Sequence, residues 1–159
     1  MYQRIVLAYD GTREGRAALR EGALLALTCG AEVVLLSVIA DTAGAKIGES
    51  AVSGSAAHDA YAAILHEGVE RLKSLGFEPD ARLVQGEAAR VIAGVAREVG
   101  ADLVVVGHRR HSAIARWWSG STGAYLLDYC GCSLLVGRDT VTDEQFEAAL
   151  KRIRPDHSA

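Results

Sequence analysis

Five short runs rich in aliphatic and β-branched residues recur along the chain: RIVLAY at 4–9, EVVLLSVI at 32–39, DARLVQ at 80–85, DLVVVG at 102–107 and SLLVG at 133–137. Most are apolar at consecutive positions rather than at alternate ones. A strand apolar on both faces needs cover on both, which is the situation of a parallel sheet sandwiched between helices. The segments between the runs supply those helices. Leu19, Ala23, Ala26 and Leu27 follow a 3.6-residue period within 13–29, as do Tyr61, Ile64, Leu65 and Leu72 within 55–75, and Val91, Ile92, Val95 and Val99 within 87–99. Because crossovers between parallel strands are right-handed, few topologies remain. The pattern predicts an α/β fold, a five-stranded parallel doubly wound sheet of order 3-2-1-4-5 with helices on both faces.

That order fixes where a ligand would sit. Strands 1 and 4 part at the switch point, so DGT at 10–12 and the loop of 107–120 face each other beyond the carboxyl ends of the sheet. A chain of 159 residues is expected to form one core without disulfides or a structural metal. Its three cysteines agree: Cys29 stands alone, and Cys130 and Cys132 read as small apolar residues at a helix-to-strand junction, so no metal is assigned. The N-terminus runs straight into a strand, with no apolar leader, and no run approaches the ~20 residues of a bilayer span. A cytoplasmic setting is expected. With 17 basic against 20 acidic residues, the surface suits neither nucleic acid nor membrane, and any bound anion needs a local site.

GHRRHSAIARWWSGST at 107–122 is the segment where such a site would form. Gly107 would let the chain leave the strand freely, and Gly120 would let backbone approach a ligand just before a helix whose first amides lack partners. The amides of Ser121, Thr122 and Gly123 could surround an anion at the positive helix end. The alternative is that Ser119 or Ser121 simply caps the helix. His108 and His111, with no acidic or sulfur partner close in sequence, read as polar loop residues, Arg116 as a surface charge, and Trp117 or Trp118 as an anchor of the loop. His58 and His66 read as exposed helix residues. Walker-type G-x4-G-K-S/T and dinucleotide G-x-G-x-x-G patterns are missing, so a nucleotide would have to bind by another loop.

The segment is similar to the loop of the universal stress protein family, in which a G-x2-G-x9-G-S/T pattern after strand 4 holds the phosphates of ATP. Here Gly107, Gly120 and Ser121 match in register and Arg110 replaces the middle glycine, giving G-x2-R-x9-G-S. The opening IVLAYDGT also resembles the family's first strand and its aspartate, here Asp10. The resemblance covers residues 1–138 as a nucleotide-binding domain and leaves 139–159 as a C-terminal extension. It implies that Asp10 bonds the ribose hydroxyls, that Ala8, Tyr9 and Asp10 line the adenine side, and that Val38 meets the base through its backbone. Gly107, Arg109, Gly120, Ser121 and Thr122 would enclose the phosphates of ATP or AMP, with Mg²⁺ as a companion. Arg110 would either obstruct a triphosphate or grip it with its guanidinium fork. Read without the resemblance, Asp10 before Gly11 is a turn residue or helix cap.

No positioned nucleophile, acid-base pair or metal cluster is evident, so the expectation is a nucleotide-binding regulator of stress response, non-catalytic or weakly hydrolytic. By the same resemblance it would be a homodimer joined through the fifth strand, Ser133 to Gly137, an edge strand with unpaired backbone groups. A second reading keeps the dimer and drops the nucleotide. A phosphoryl-accepting domain is disfavoured because strand 3 ends in Gln85-Gly86 and strand 5 in Gly137-Arg138, and an adenylating enzyme because YDGTREG is not an S-G-G-x-D-S loop.

Two flanking segments complete the reading. ADTAGAKIGESAVSGSAAH at 40–58 lacks a period and reads as a disordered connection rather than a lid. Thr142 and Gln145 form a capping-box signature ahead of Phe146, Ala149, Leu150 and Ile153, a stripe that should dock on this chain or a partner, with Pro155 beyond its end.

Overall fold

A computed structural model describes residues 1–40, 50–107, 126, 128–137 and 141–154. Its parallel strands are β1 (Arg4–Ala8), β2 (Glu32–Ala40), β3 (Asp80–Gly86), β4 (Leu103–Gly107) and β5 (Ser133–Gly137), in the order β3-β2-β1-β4-β5 read from the sequence. The helices α1 (Arg13–Cys29), α2 (Ser50–Ser74) and α3 (Ala88–Val99) connect them, and α4 (Asp143–Ile153) follows the last strand.

Strand residues alternate between two core clusters. Ile5, Leu7, Leu35 and Val105 pack beneath α1 and α2. Val6, Leu36, Val104 and Val106 pack with Ile92 and Ala96 of α3 and with Leu126. This double cover is why the strands lack polar alternation. Helix α1 is capped by Thr12, whose hydroxyl accepts the Gly15 amide, and closed by Gly30 in the left-handed region at φ 64°. On its sheet side Gly15, Ala18 and Gly22 recur at i, i+3 and i+7, bringing its backbone close to the strands.

Two details differ from expectation. Helix α2 begins at Ser50, several residues before the predicted 55, because its first turns, SAVSGS, hold a single branched aliphatic residue and no stripe to reveal them. Residues 41–49 of the expected connection lie outside the described residues. Gly107 ends β4 without a left-handed dihedral. A Cβ there would stand 2.8 Å from the Glu14 carbonyl oxygen and 3.0 Å from the Gly15 amide nitrogen. Close approach of α1, not backbone freedom, is what this glycine supplies.

The capping box of α4 is present: Thr142 Oγ1 accepts the Gln145 amide, and Gln145 Oε1 accepts the Thr142 amide. The helix lies against α1 of its own chain and buries Phe146. Arg20 of α1 stacks over the Phe146 ring, 5.3 Å from its centroid, and pairs with Asp143.

Candidate functional site

The carboxyl end of β1 is where three strands part. Pairing of β1 with β4 ends at Leu7↔Val105 and with β2 at Ala8↔Leu36, while β2 continues to Ala40 against β3. The Tyr9 amide still donates to Leu36 O at 2.8 Å. In a continuing parallel ladder the Tyr9 carbonyl would next accept the Val38 amide. It accepts the Ser37 hydroxyl instead, at 2.8 Å. Ser37 is fully buried. By strand alternation, Val38 turns its amide and carbonyl toward the edge that β1 has just left. Its half-buried side chain packs with Ala8 and Val84 on the α3 side.

Asp10 follows, held by an Asx turn: its Oδ1 accepts the Thr12 amide at 3.1 Å and the Thr12 hydroxyl at 2.6 Å. Thr12 thus caps α1 and braces Asp10 with one hydroxyl. Gly11 takes φ 70°, a conformation that favours glycine. A side chain at Gly15 would collide with the Asp10 carboxylate. The turn reading of Asp10 therefore holds, and it places a carboxylate at the switch point.

Tyr9 turns its side chain the other way, into the core below α2, and its hydroxyl donates to Glu67 Oε2 at 2.8 Å. Burial, then this bond to Glu67, pushes the phenol above its ordinary pKa. Only the Tyr9 backbone is left at the switch point. Burial also acts to raise the Glu67 carboxyl, but hydrogen bonds from Tyr9, Arg71 and Arg16 outweigh it and hold the group below its ordinary value.

Of the residues predicted for the site, Ala8, Tyr9, Asp10, Val38 and Gly107 are brought to the carboxyl ends of β1, β2 and β4. Arg109, Arg110, Gly120, Ser121 and Thr122 lie outside the described residues, as do His108, His111, Arg116, Trp117, Trp118 and Ser119. Thr12, Gly15 and Ser37 were not anticipated. A serine inside VVLLSVI was the visible signal for the last of these. His58 and His66 are exposed on α2, as expected. Cys130 and Cys132 pack half-buried against the α3-side cluster. Burial, with Cys132 adjoining, pushes the Cys130 thiol up to about 11, the behaviour of a packing cysteine rather than a reactive one. Among the described residues no group of His, Cys, Asp and Glu is arranged to hold a metal ion, and no helix is long and apolar enough to cross a membrane.

The fold defines a class: a doubly wound parallel α/β domain with its switch point between the ends of β1 and β4. The chain belongs to the universal stress protein family, whose model matches residues 1–138. It is similar to a universal stress protein crystallised in complex with cAMP, at 25% identity and a TM-score of 0.64, over 85% of this chain and 96% of that one. A family protein from Burkholderia pseudomallei is also 25% identical, with a TM-score of 0.68 over 85% of this chain and 95% of that one. A family protein from Arabidopsis thaliana with AMP bound shares the fold at 16% identity, with a TM-score of 0.61 over 90% of this chain and 97% of that one. No functionally curated protein matches the sequence significantly.

Proposed function

We propose that the chain binds an adenine nucleotide, ATP or AMP, at the switch point and works as a dimeric cytoplasmic regulator in stress response. The observation that carries this reading is the end of the β1/β2 ladder. Ser37 occupies the Tyr9 carbonyl, so the Val38 backbone is directed at the position a base would take, beside the Asp10 carboxylate. Backbone donors and acceptors suit a purine edge, and a carboxylate suits two neighbouring ribose hydroxyls. A relative 25% identical was crystallised with cAMP, which has the same base and keeps the ribose 2′-hydroxyl, its 3′-oxygen being tied to the phosphate.

In this reading Ala8 and the Tyr9 backbone line the adenine side, and Asp10 takes the ribose. Gly107, Arg109, Arg110, Gly120, Ser121 and Thr122 enclose the phosphates, with Mg²⁺ neutralising part of their charge. Residues 1–138 form the nucleotide-binding unit and 139–159 an extension. The edge strand β5, with Leu134, Leu135 and Val136 half-buried, offers its free side to a second copy.

Calorimetric titration of nucleotide-stripped protein with ATP, AMP and cAMP tests the site, beside Asp10→Ala and Gly120→Val. Saturable binding is expected, weakened about tenfold or more in each variant, the scale of one lost charge-assisted bond. Absence of heat and of thermal shift with all three nucleotides would remove the nucleotide and leave the dimeric interaction module, whose assembly sedimentation would measure.

A further inference from the structure

Among the described residues Ser37 is the one buried polar side chain, in a strand, EVVLLSVIA, that is aliphatic at every other position after its first. It is wholly enclosed, so no part of it is open to a ligand, and its hydroxyl donates to the Tyr9 carbonyl at 2.8 Å. A serine here forgoes the packing of a valine or isoleucine and takes a polar group out of water. Its one donated bond has to account for its presence.

Strand register gives the reason. Continuing the β1/β2 pairing by one residue sets Tyr9 opposite Ser37, and the Tyr9 amide still donates to Leu36 O. The next bond of a parallel ladder would run from the Val38 amide to the Tyr9 carbonyl. Leaving a buried carbonyl unsatisfied is costly, so it takes whichever donor is in reach. With alanine or valine at position 37, that donor would be the Val38 amide. Ser37 supplies the proton from its own side chain and leaves the amide to other acceptors. Nor is Tyr9 free to step aside. Its phenol donates to Glu67 at 2.8 Å with Arg16 beside it, and a Cβ at Gly68 would stand 2.8 Å from its ring, so it is seated closely under α2. The strand end is fixed in place, and position 37 decides which donor fills its last carbonyl.

We infer that Ser37 is a positioning residue: by taking the Tyr9 carbonyl it ends the β1/β2 ladder one bond early and keeps the Val38 amide available to a base. This role rests on the adenine-nucleotide reading for the identity of the base, and on strand register for the open amide. Ser37→Ala deletes one oxygen, yet the loss falls on a neighbour. The ladder gains a bond, the Tyr9 carbonyl is satisfied again, and a nucleotide must break that bond to reach Val38. A hydroxyl that merely stabilised the core would act the other way, lowering the melting temperature and leaving the ligand untouched.

The test is hydrogen exchange at the Val38 amide, followed by NMR in the full chain without nucleotide, beside calorimetric titration with AMP. Unmodified protein, Ser37→Ala and Ser37→Thr are compared. In Ser37→Ala, exchange should slow about five- to tenfold and AMP should bind weaker by the same factor, the scale of one backbone hydrogen bond. Melting should move by less than about 4 °C. A scalar coupling between the Val38 nitrogen and the Tyr9 carbonyl carbon should appear in this variant alone. Ser37→Thr keeps the hydroxyl and should restore both fast exchange and affinity. The role is overturned if Val38 exchanges as fast in Ser37→Ala as in the unmodified protein, or if all three proteins bind AMP equally. Slowed exchange in a chain that binds no nucleotide would keep Ser37 as the residue that ends the ladder and overturn the nucleotide reading instead.

Discussion

Glu67 ties three elements together with one carboxylate: Tyr9 after β1, Arg16 on α1 and Arg71 on its own helix. Its folded pKa is held below the ordinary 4.5 despite the opposing effect of burial. A depressed carboxylate contributes stability that is present above the unfolded value and lost as pH falls through the folded one. Glu67→Gln keeps an acceptor for the Tyr9 hydroxyl but turns an amide NH2 toward Arg16 and Arg71, so it removes the charge together with their two bonds. It should lower stability at pH 7 by about 1 kcal/mol, discounted because both arginines are half exposed. The gap to the unmodified protein should close as pH drops from 6 to below 4. Melting both proteins across that range checks it, and a gap that stays constant with pH would show that the charge contributes nothing. Position 67 is invisible in the sequence as a partner of position 9, because 58 residues separate them and helical spacing reveals only the Arg71 contact. Asp10 is legible through its AYDGT context, yet the brace it receives from Thr12 and the room it needs at Gly15 exist only once α1 is docked.

At the scale of elements, α1 docks by giving up side chains, and the strands answer in kind. A Cβ on Gly107 would press on the Glu14 carbonyl at 2.8 Å, and one on Gly137 on the Ala18 Cα at 2.7 Å. Both obstacles are backbone or a buried helix atom, neither of which can turn aside. Gly107→Ala should therefore cost about 1–3 kcal/mol with no nucleotide present, the usual penalty of overpacking. Thermal melts would register this as about 2–4 °C for each kcal/mol. An unchanged melting temperature would show that α1 yields, and that Gly107 serves only a ligand. Strand and helix identities were readable because consecutive apolar residues and 3.6-residue stripes report double burial directly, as in LVVV of β4 and AARVIAGV of α3. The start of α2 was not, since Ser50 to Gly54 carry no stripe. Gly107 misled for a related reason: a glycine's missing side chain reads alike whether it frees the backbone or makes space.

Across the whole molecule handedness and strand count narrow the sheet to a few orders, the doubly wound 3-2-1-4-5 among them, whereas they say nothing of the place of the C-terminal helix. The stripe of α4 predicts that it buries one face but not against what; Phe146 and Arg20 settle it, on α1 of the same chain. The family's match ends at 138, and α4 of the tail packs on α1, with Arg154 reaching Gly76 beyond α2. If 1–138 is an independent unit, a chain ending there should fold with a single cooperative transition and keep its affinity for nucleotide. It should melt lower, because docking Phe146 contributes about 1.5–3 kcal/mol of apolar burial that α1 then returns to water. The Arg20 side chain would lose both its ring and its carboxylate, whereas none of the residues assigned to the nucleotide lies in the tail. Calorimetric scanning together with an ATP titration of the shortened chain separates the outcomes. A broad, non-cooperative melt, or loss of ATP binding along with the tail, would make the tail part of a single core.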